Sequence, residues 1–335
     1  MKRLILSVLT SLLLMMPTMA SEIEIVPTMQ SRGNAPDRVW VGTFQIVWND
    51  FMDKIVHNPI RFPEGTPGYV KDLNMQAFKV EDISNESFYK YFGKVTKKTK
   101  KNIVSALKRK FNETSDIIDK LDLTPGNDKY LMYAMLKKNF EFIREFDELG
   151  QSNFRTQTAK FFGINKASSN ELNQGVKVLF YNSPRDFAVM LDTKGKDEVY
   201  LYRTPTSKPF GLIYADMLKK QALYKGDVAF LDDDELKIPN LSFATEREYD
   251  DISNKRIMGS NYVIDKAIQT VKFDMDKSGV ELKSEAALVV SRTCLTPPSD
   301  YRYFYFDNTF VMFIKEKNKQ KPYLALRVHN IDKFQ

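Results

Sequence analysis

A chain of 335 residues with 13% aromatic and 28% charged residues is long enough to bury a large core, and it has no low-complexity tract or internal repeat. It carries a net charge of +7 and one cysteine, Cys294, so an internal disulfide is excluded and stability has to come from packing. His57 and His329 are the only histidines and neither has a metal-ligand spacing partner; no Gly-x-Ser-x-Gly, phosphate-binding or dinucleotide-binding motif occurs, so neither catalysis nor a cofactor nor a metal is expected.

Residues 1–20 read as a targeting segment. Lys2 and Arg3 precede the apolar run Leu4–Met16, and Thr18-Met19-Ala20 supplies small residues for cleavage. The run is too short for a membrane span and no second one follows, so the expected product is soluble and secreted or periplasmic. Residues 21–38, with Pro27, Gly33 and Pro36, read as a mobile lead-in. Phe44, Val47, Trp48, Phe51 and Ile55 have helical spacing and predict a core helix over Trp40–Ile55, followed by a Pro- and Gly-rich loop over Asn58–Gly68.

Ser87–Lys120 reads as mostly helical, broken near Asn112. Lys94, Lys97, Lys98, Lys100, Lys101, Lys108, Arg109 and Lys110 fall in one stretch without an acid, with Val104, Leu107 and Phe111 as its apolar stripe and Thr96 as its cap. Two readings stand: a dock for a polyanion or acidic surface, or the solvated face of a helix. Nucleic acid is not expected, because no stacking aromatics are interleaved.

From Tyr130 onward strands dominate: Val176–Tyr181, Phe187–Leu191, Val199–Tyr202 and Val228–Leu231, with a short helix at Tyr214–Ala222. Asp232–Glu235 lacks the alternating ligands and glycine of a calcium loop and reads as a solvated turn. Val271, Phe273 and Met275 then alternate with Lys272, Asp274 and Asp276, a strand that ends at a turn before Gly279. The alternation resumes beyond it, with Val280, Leu282, Ser284, Ala286, Leu288 and Val290 on one side and Glu281, Lys283, Glu285, Ala287, Val289 and Ser291 on the other. Helices first and strands later predict an α+β fold.

Gly279 to Ala287 (GVELKSEAA) resembles the hinge of serpins. Leu236–Phe243 and Tyr249-Asp250-Asp251 resemble a later strand of that family. Tyr130–Phe146 resembles the strand ending in Phe-Lys-x-x-Trp-x-x-x-Phe, with Phe142 or its neighbour in place of the tryptophan. Asn102, Thr114 and Ile118 match the helix over the main sheet, and Asp307–Val328 matches the closing hairpin. The likeness covers about residues 96–330. It implies a single serpin-like domain over 21–335, with a large mixed central sheet, a second sheet and a helical N-terminal part, pared down over residues 21–95.

The same resemblance implies a function. Residues 279–298 would form the hinge and reactive loop, with Gly279, Val280, Glu281, Leu282, Ser284, Ala286 and Ala287 as the hinge. The bond attacked by a serine or cysteine protease would lie within Ser291, Arg292, Thr293, Cys294 and Leu295. Counting from Gly279 sets Thr293 before that bond and Cys294 after it; a slip of one residue sets Arg292 there. The expected protein is a monomeric protease inhibitor with an exposed thiol, or a non-inhibitory relative docking through the basic helix. Leu282, Lys283 and Glu285 are bulkier than the small residues that inhibitory hinges favour.

Overall fold

The computed structural model describes residues 23–126, 129–281 and 302–335. The expected targeting segment, the expected hinge residues Leu282, Ser284, Ala286 and Ala287, and the expected reactive-bond residues Ser291, Arg292, Thr293, Cys294 and Leu295 lie outside the described residues. Among those described, the fold is α+β: three main sheets, two short β-ribbons and four α-helices.

The largest sheet has seven strands in the order Glu24–Ile25, Arg38–Val41, Leu324–Val328, Phe310–Glu316, Asp197–Arg203, Asp186–Asp192 and Val176–Ser183. The first pair is parallel and the rest are antiparallel, so the sheet is mixed. Its central hairpin is buried along every residue of Phe310–Glu316 and Leu324–Val328. That explains why these strands read as continuous apolar runs rather than alternating ones: both faces are covered.

Two buried arginines stand opposite one another in this sheet, Arg38 and Arg327. Burial lowers the pKa of both, that of Arg327 to about 10. Both point their guanidinium groups at carbonyl oxygens of the 204–208 loop: Arg38 at Ser207 and Lys208, both at 3.0 Å, and Arg327 at Thr206 and Pro205, at 2.8 and 2.9 Å. The arginines are therefore structural, fastening a loop that has no ladder of its own.

A second sheet runs Tyr303–Tyr305, Glu235–Pro239, Gln157–Ile164, Asp147–Phe154. The third runs Leu241–Glu248, Ile268–Met275, Gly279–Glu281, Asn139–Glu141. Beside it lies a ribbon of Phe88–Lys94 with Tyr130–Leu136.

Several expectations are corrected. Residues 21–38 are no lead-in where they are described: Glu24–Ile25 is a sheet edge, Ile25 and Val26 are buried, and Glu24 Oε2 accepts from the Asn34 and Ala35 amides at 2.7 and 2.6 Å. The turn residues close a crossover between two paired strands. The core helix starts later than Trp40, which lies in the Arg38–Val41 strand; α1 spans Thr43–Phe51 and ends in a π-helical turn, Met52–Val56. After α2 (Gly68–Asn74), Phe88–Lys94 is a strand rather than helix, because four aromatics in seven residues favour a pleated surface.

Helix α3 is Thr99–Phe111 and closes on Asn112 in the left-handed region at φ 57, a conformation Asn tolerates. Its inward stripe is Thr99, Ile103 and Leu107; Val104, expected inside, is 36% exposed. Thr96 is not its cap. Its hydroxyl accepts from the Lys98 amide, and Lys98 is the N-cap residue. Helix α4 spans Phe210–Leu223. Val228–Leu231 makes only a one-residue bridge from Ala229 to Lys177. Asp234 does not sit in a solvated turn: it is buried, accepts from the Leu231 amide at 2.7 Å, and is gripped by Arg302 at 2.9 Å to Oδ1.

Candidate functional site

The strand Ile268–Met275 pairs with Leu241–Glu248 along its full length on one side. On its other side, among the described residues, only Asp274 and Met275 are paired, with Glu281 and Val280. Gly279–Glu281 in turn pairs with Asn139–Glu141, setting Val280 opposite Phe140. At this level the two walls are therefore one strand apart. Below it, Tyr130–Leu136 pairs only with Phe88–Lys94, and its other edge is free among the described residues. Between the edges of Tyr130–Leu136 and residues 268–272 lies a cavity of about 1350 Å³. Two unpaired strand edges facing one space are a template for another strand.

The walls are amphipathic in the same sense. Gln269, Val271, Phe273 and Met275 are buried and alternate with half-buried Ile268, Thr270, Lys272 and Asp274. On the opposite wall, Leu131 and Tyr133 pack under α3, whereas Met132, Ala134 and Leu136 face the interior and are only partly covered. The floor of the slot is α1, where Phe44 stacks on Tyr249 with ring centroids 4.1 Å apart and the Trp48 indole donates to Asn74 Oδ1 at 3.0 Å.

Close approach at the top of the slot selects glycine. A Cβ on Gly279 would overlap the Phe140 carbonyl oxygen and come within 2.8 Å of Glu141 Cα. Below it, Lys138 is 7% exposed and its ammonium lies 2.8 Å from Asp197 Oδ1 and 2.6 Å from Glu316 Oε1. Burial acts to raise the Glu316 pKa, but the hydrogen bonds from Lys138 and from Ser84 outweigh it and hold this carboxyl below its ordinary value. Tyr323 donates to the same Asp197 Oδ1 at 2.9 Å. This network anchors the Asn139–Glu141 wall to the large sheet.

The segment between α3 and Tyr130 spans the slot. Glu113 pairs with Lys137 at 2.6 Å on one wall, and Asp116 pairs with Lys272 at 3.1 Å on the other. Lys120 reaches Glu246 beyond it, and Tyr133 donates to Ser115 Oγ at 3.1 Å.

No family model matches the chain, and no curated protein matches it. Among solved structures it is similar to Serpin48 of the insect Tenebrio molitor, at 13% identity and a TM-score of 0.46 over 87% of this chain and 91% of that one. It is also similar to human thyroxine-binding globulin complexed with its hormone, at 11% identity and a TM-score of 0.42 over 85% and 95% of the two chains. A further structure of thyroxine-binding globulin with thyroxine gives 14% identity and a TM-score of 0.43 over 69% and 64%.

Of the residues singled out in the sequence, Gly279, Val280 and Glu281 sit at the top of the slot as its middle strand. The basic residues lie on and beside α3, away from the slot's floor. Both histidines are accounted for by structure. His57 is exposed and ends the π-helical turn, and His329 Nδ1 is 2.9 Å from Thr309 Oγ1, its pKa lowered by burial and by Arg155. Sequence reasoning missed Lys138, Asp197 and Glu316. The one signal was Glu316 at the end of the apolar run Phe310–Ile314, where a charge reads as exposed.

No helix among the described residues is long and apolar enough to cross a membrane.

Proposed function

We propose that this protein is an exported, serpin-like inhibitor of a serine or cysteine protease, acting by insertion of the segment after Gly279 into the slot once a protease has cut within Ser291–Leu295. The observation that carries this reading is the strand Gly279–Glu281, already seated between both walls and running toward the open part of the slot. Continued in the same register, Leu282 would fall between Phe273 and Lys138, Ser284 between Val271 and Leu136, and Ala286 between Gln269 and Ala134. The apolar members of the alternation would then share the buried face of both walls, and Glu281, Lys283 and Glu285 the outer face. Each buried Leu or Val contributes about 1.5–3 kcal/mol and each new ladder hydrogen bond about 1 kcal/mol, on the order of 10 kcal/mol in all, enough to drive a large rearrangement.

The resemblance of GVELKSEAA to the serpin hinge supports the same reading, and serpin loop insertion is itself a recognised switching transition. A second reading, a serpin-like binding protein that does not inhibit, is favoured by Leu282, Lys283 and Glu285, which are bulkier than the small residues that a fast-inserting hinge favours.

Incubation with serine and cysteine proteases tests the proposal. A covalent complex that survives denaturing electrophoresis, with a rise in thermal stability of the cleaved protein, is the expected result. Cleavage with a stability gain but no complex would favour the non-inhibitory relative. Cleavage with neither would overturn insertion.

A further inference from the structure

Helix α4 covers the large sheet with one face and leaves the other apolar and exposed. Phe210, Ile213 and Met217 are its buried side, and the rings of Phe210 and Tyr214 stand edge-on to Phe313 at 6.3 and 5.0 Å. Lys220 ties down its far end, 2.8 Å from Asp186 Oδ1 and 2.7 Å from the Tyr202 hydroxyl. The outer face is not the charged surface of an ordinary solvent-facing helix. Of the ten large apolar side chains exposed among the described residues, five fall between Leu212 and Leu231, so they are not scattered. Three of them, Leu212, Leu218 and Leu223, are on α4 itself, with Ala215 and Ala222 exposed beside them. Such clustering marks a contact surface, whereas single exposed apolar residues need no explanation.

The order of residues along that face says what would cover it. Leu212, Asp216, Lys219 and Leu223 are spaced four, three and four apart, the spacing of a coiled-coil seam. At about 100° per residue they fall within about 60° of one another, in a stripe about 16 Å long. A leucine closes each end, and an acid and a base stand in the middle. Laid antiparallel on a second copy, about a twofold axis between Met217 and Leu218, Leu212 would meet Leu223 of that copy and Asp216 would meet its Lys219. Symmetry makes each pairing occur twice. A parallel pair would set like charge against like, so the seam specifies its own orientation. Both central charges are accessible: Lys219 is exposed, and the Asp216 side chain stays 49% exposed although its Oδ2 accepts from the Tyr202 hydroxyl at 2.7 Å.

We infer that α4 is the contact of a twofold-symmetric homodimer, in place of the monomer expected from sequence, with two copies of the helix antiparallel along this seam. A lipid surface would have to take Asp216 and Lys219 into the middle of its contact, where a second copy supplies each with its opposite charge. One helix face buries less than a standard interface, so the association is weak and depends on concentration. The inference rests neither on the slot nor on protease inhibition, since no residue of α4 lines the slot.

Sedimentation velocity of the purified protein, from micromolar to millimolar concentration, tests it, with every variant first shown folded by circular dichroism. Wild type should pass from monomer to dimer. Leu212→Ser/Leu223→Ser removes both ends of the seam at exposed positions and should weaken association by about tenfold or more. Lys219→Glu and Asp216→Lys should each do the same, because each sets like charges together at both central positions. Mixed in equal amounts, the two charge variants should associate again to within about threefold of wild type, since the two bases of one then face the two acids of the other. Leu212→Ser/Leu223→Ser and Lys219→Glu decide the matter even where Asp216→Lys does not fold. Wild type that stays monomeric throughout would overturn the inference, as would a dimer that neither of these two variants weakens. Two folded charge variants that stay apart on mixing would overturn the antiparallel seam. So would wild-type protein that remains monomeric but sediments with phosphatidylglycerol vesicles.

Discussion

Lys137 and Lys272 stand on opposite walls of the slot, and each holds an acid of the segment that spans it: Lys137 holds Glu113 at 2.6 Å and Lys272 holds Asp116 at 3.1 Å. The two pairs tie one connection to both sides of the gap. They also leave each lysine neutralised by an acid, so an entering strand would meet two closed ion pairs on its outer face, and the residue that the register sets between them is Lys283.

The first prediction follows from that placement. Lys283→Ala should speed insertion and raise the thermal stability of the cleaved protein, since a long side chain no longer has to be fitted, with its charge, between two ion pairs that are already closed. The uncleaved protein should hardly change. Calorimetry of both forms before and after limited proteolysis checks this; a cleaved variant no more stable than cleaved wild type would show that residue 283 does not lie between these lysines.

Gly279→Ala should destabilise the uncleaved protein by about 1–3 kcal/mol, because the added methyl meets the backbone of Phe140 and Glu141 rather than a side chain that could swing away. Urea denaturation followed by tryptophan fluorescence gives the value. A neutral effect would mean that Gly279–Glu281 does not pair with Asn139–Glu141 in solution.

The Lys138 network makes stability depend on acid in a defined direction. Glu316 has its carboxyl held below the ordinary value of 4.5, so its contribution is fully present above that pH and is lost as pH falls through the depressed folded value. Glu316→Gln should therefore cost about 1–3 kcal/mol near neutrality, and the gap to wild type should close in acid. Denaturation curves at neutral pH and at about pH 3 decide it. A gap that stays constant between the two would assign the loss to packing alone.

Much of the strand content was legible because period-two alternation is a local property: Ile268–Met275 shows it in sequence and again in burial. Phe88–Lys94 was misread because aromatics at 88, 89, 91 and 92 satisfy a helical spacing as well as a strand, and only the partner Tyr130–Leu136 decides. The apolar stripe of α3 was placed one residue off for a related reason. Thr99 looks polar, yet it is buried, with its hydroxyl bonded to Thr96, and so joins Ile103 and Leu107. The slot itself could not be read at all. An unpaired edge is defined by what is missing beside it, and Lys138 looks like any solvent-facing lysine until Asp197 and Glu316, far away in sequence, are set around it.

The last prediction separates the two faces of the entering strand. In the register set by Val280 against Met275 and Phe140, Ala286 would face the interior between Gln269 and Ala134, whereas Glu285 would face outward between Thr270 and Met135. Ala286→Arg would have to bury a guanidinium without a carboxylate to receive it, a penalty of several kcal/mol. Its cleaved form should gain no thermal stability, and the variant should be consumed by protease as a simple substrate. Glu285→Arg keeps a charge on the outer face, which already carries Lys137, Lys272, Glu113 and Asp116, and should keep most of the wild-type gain. The two substitutions sit one residue apart in the same segment, so a general disturbance would affect them alike. If both variants gain stability equally, or both lose it, the register is wrong and the slot does not receive this strand.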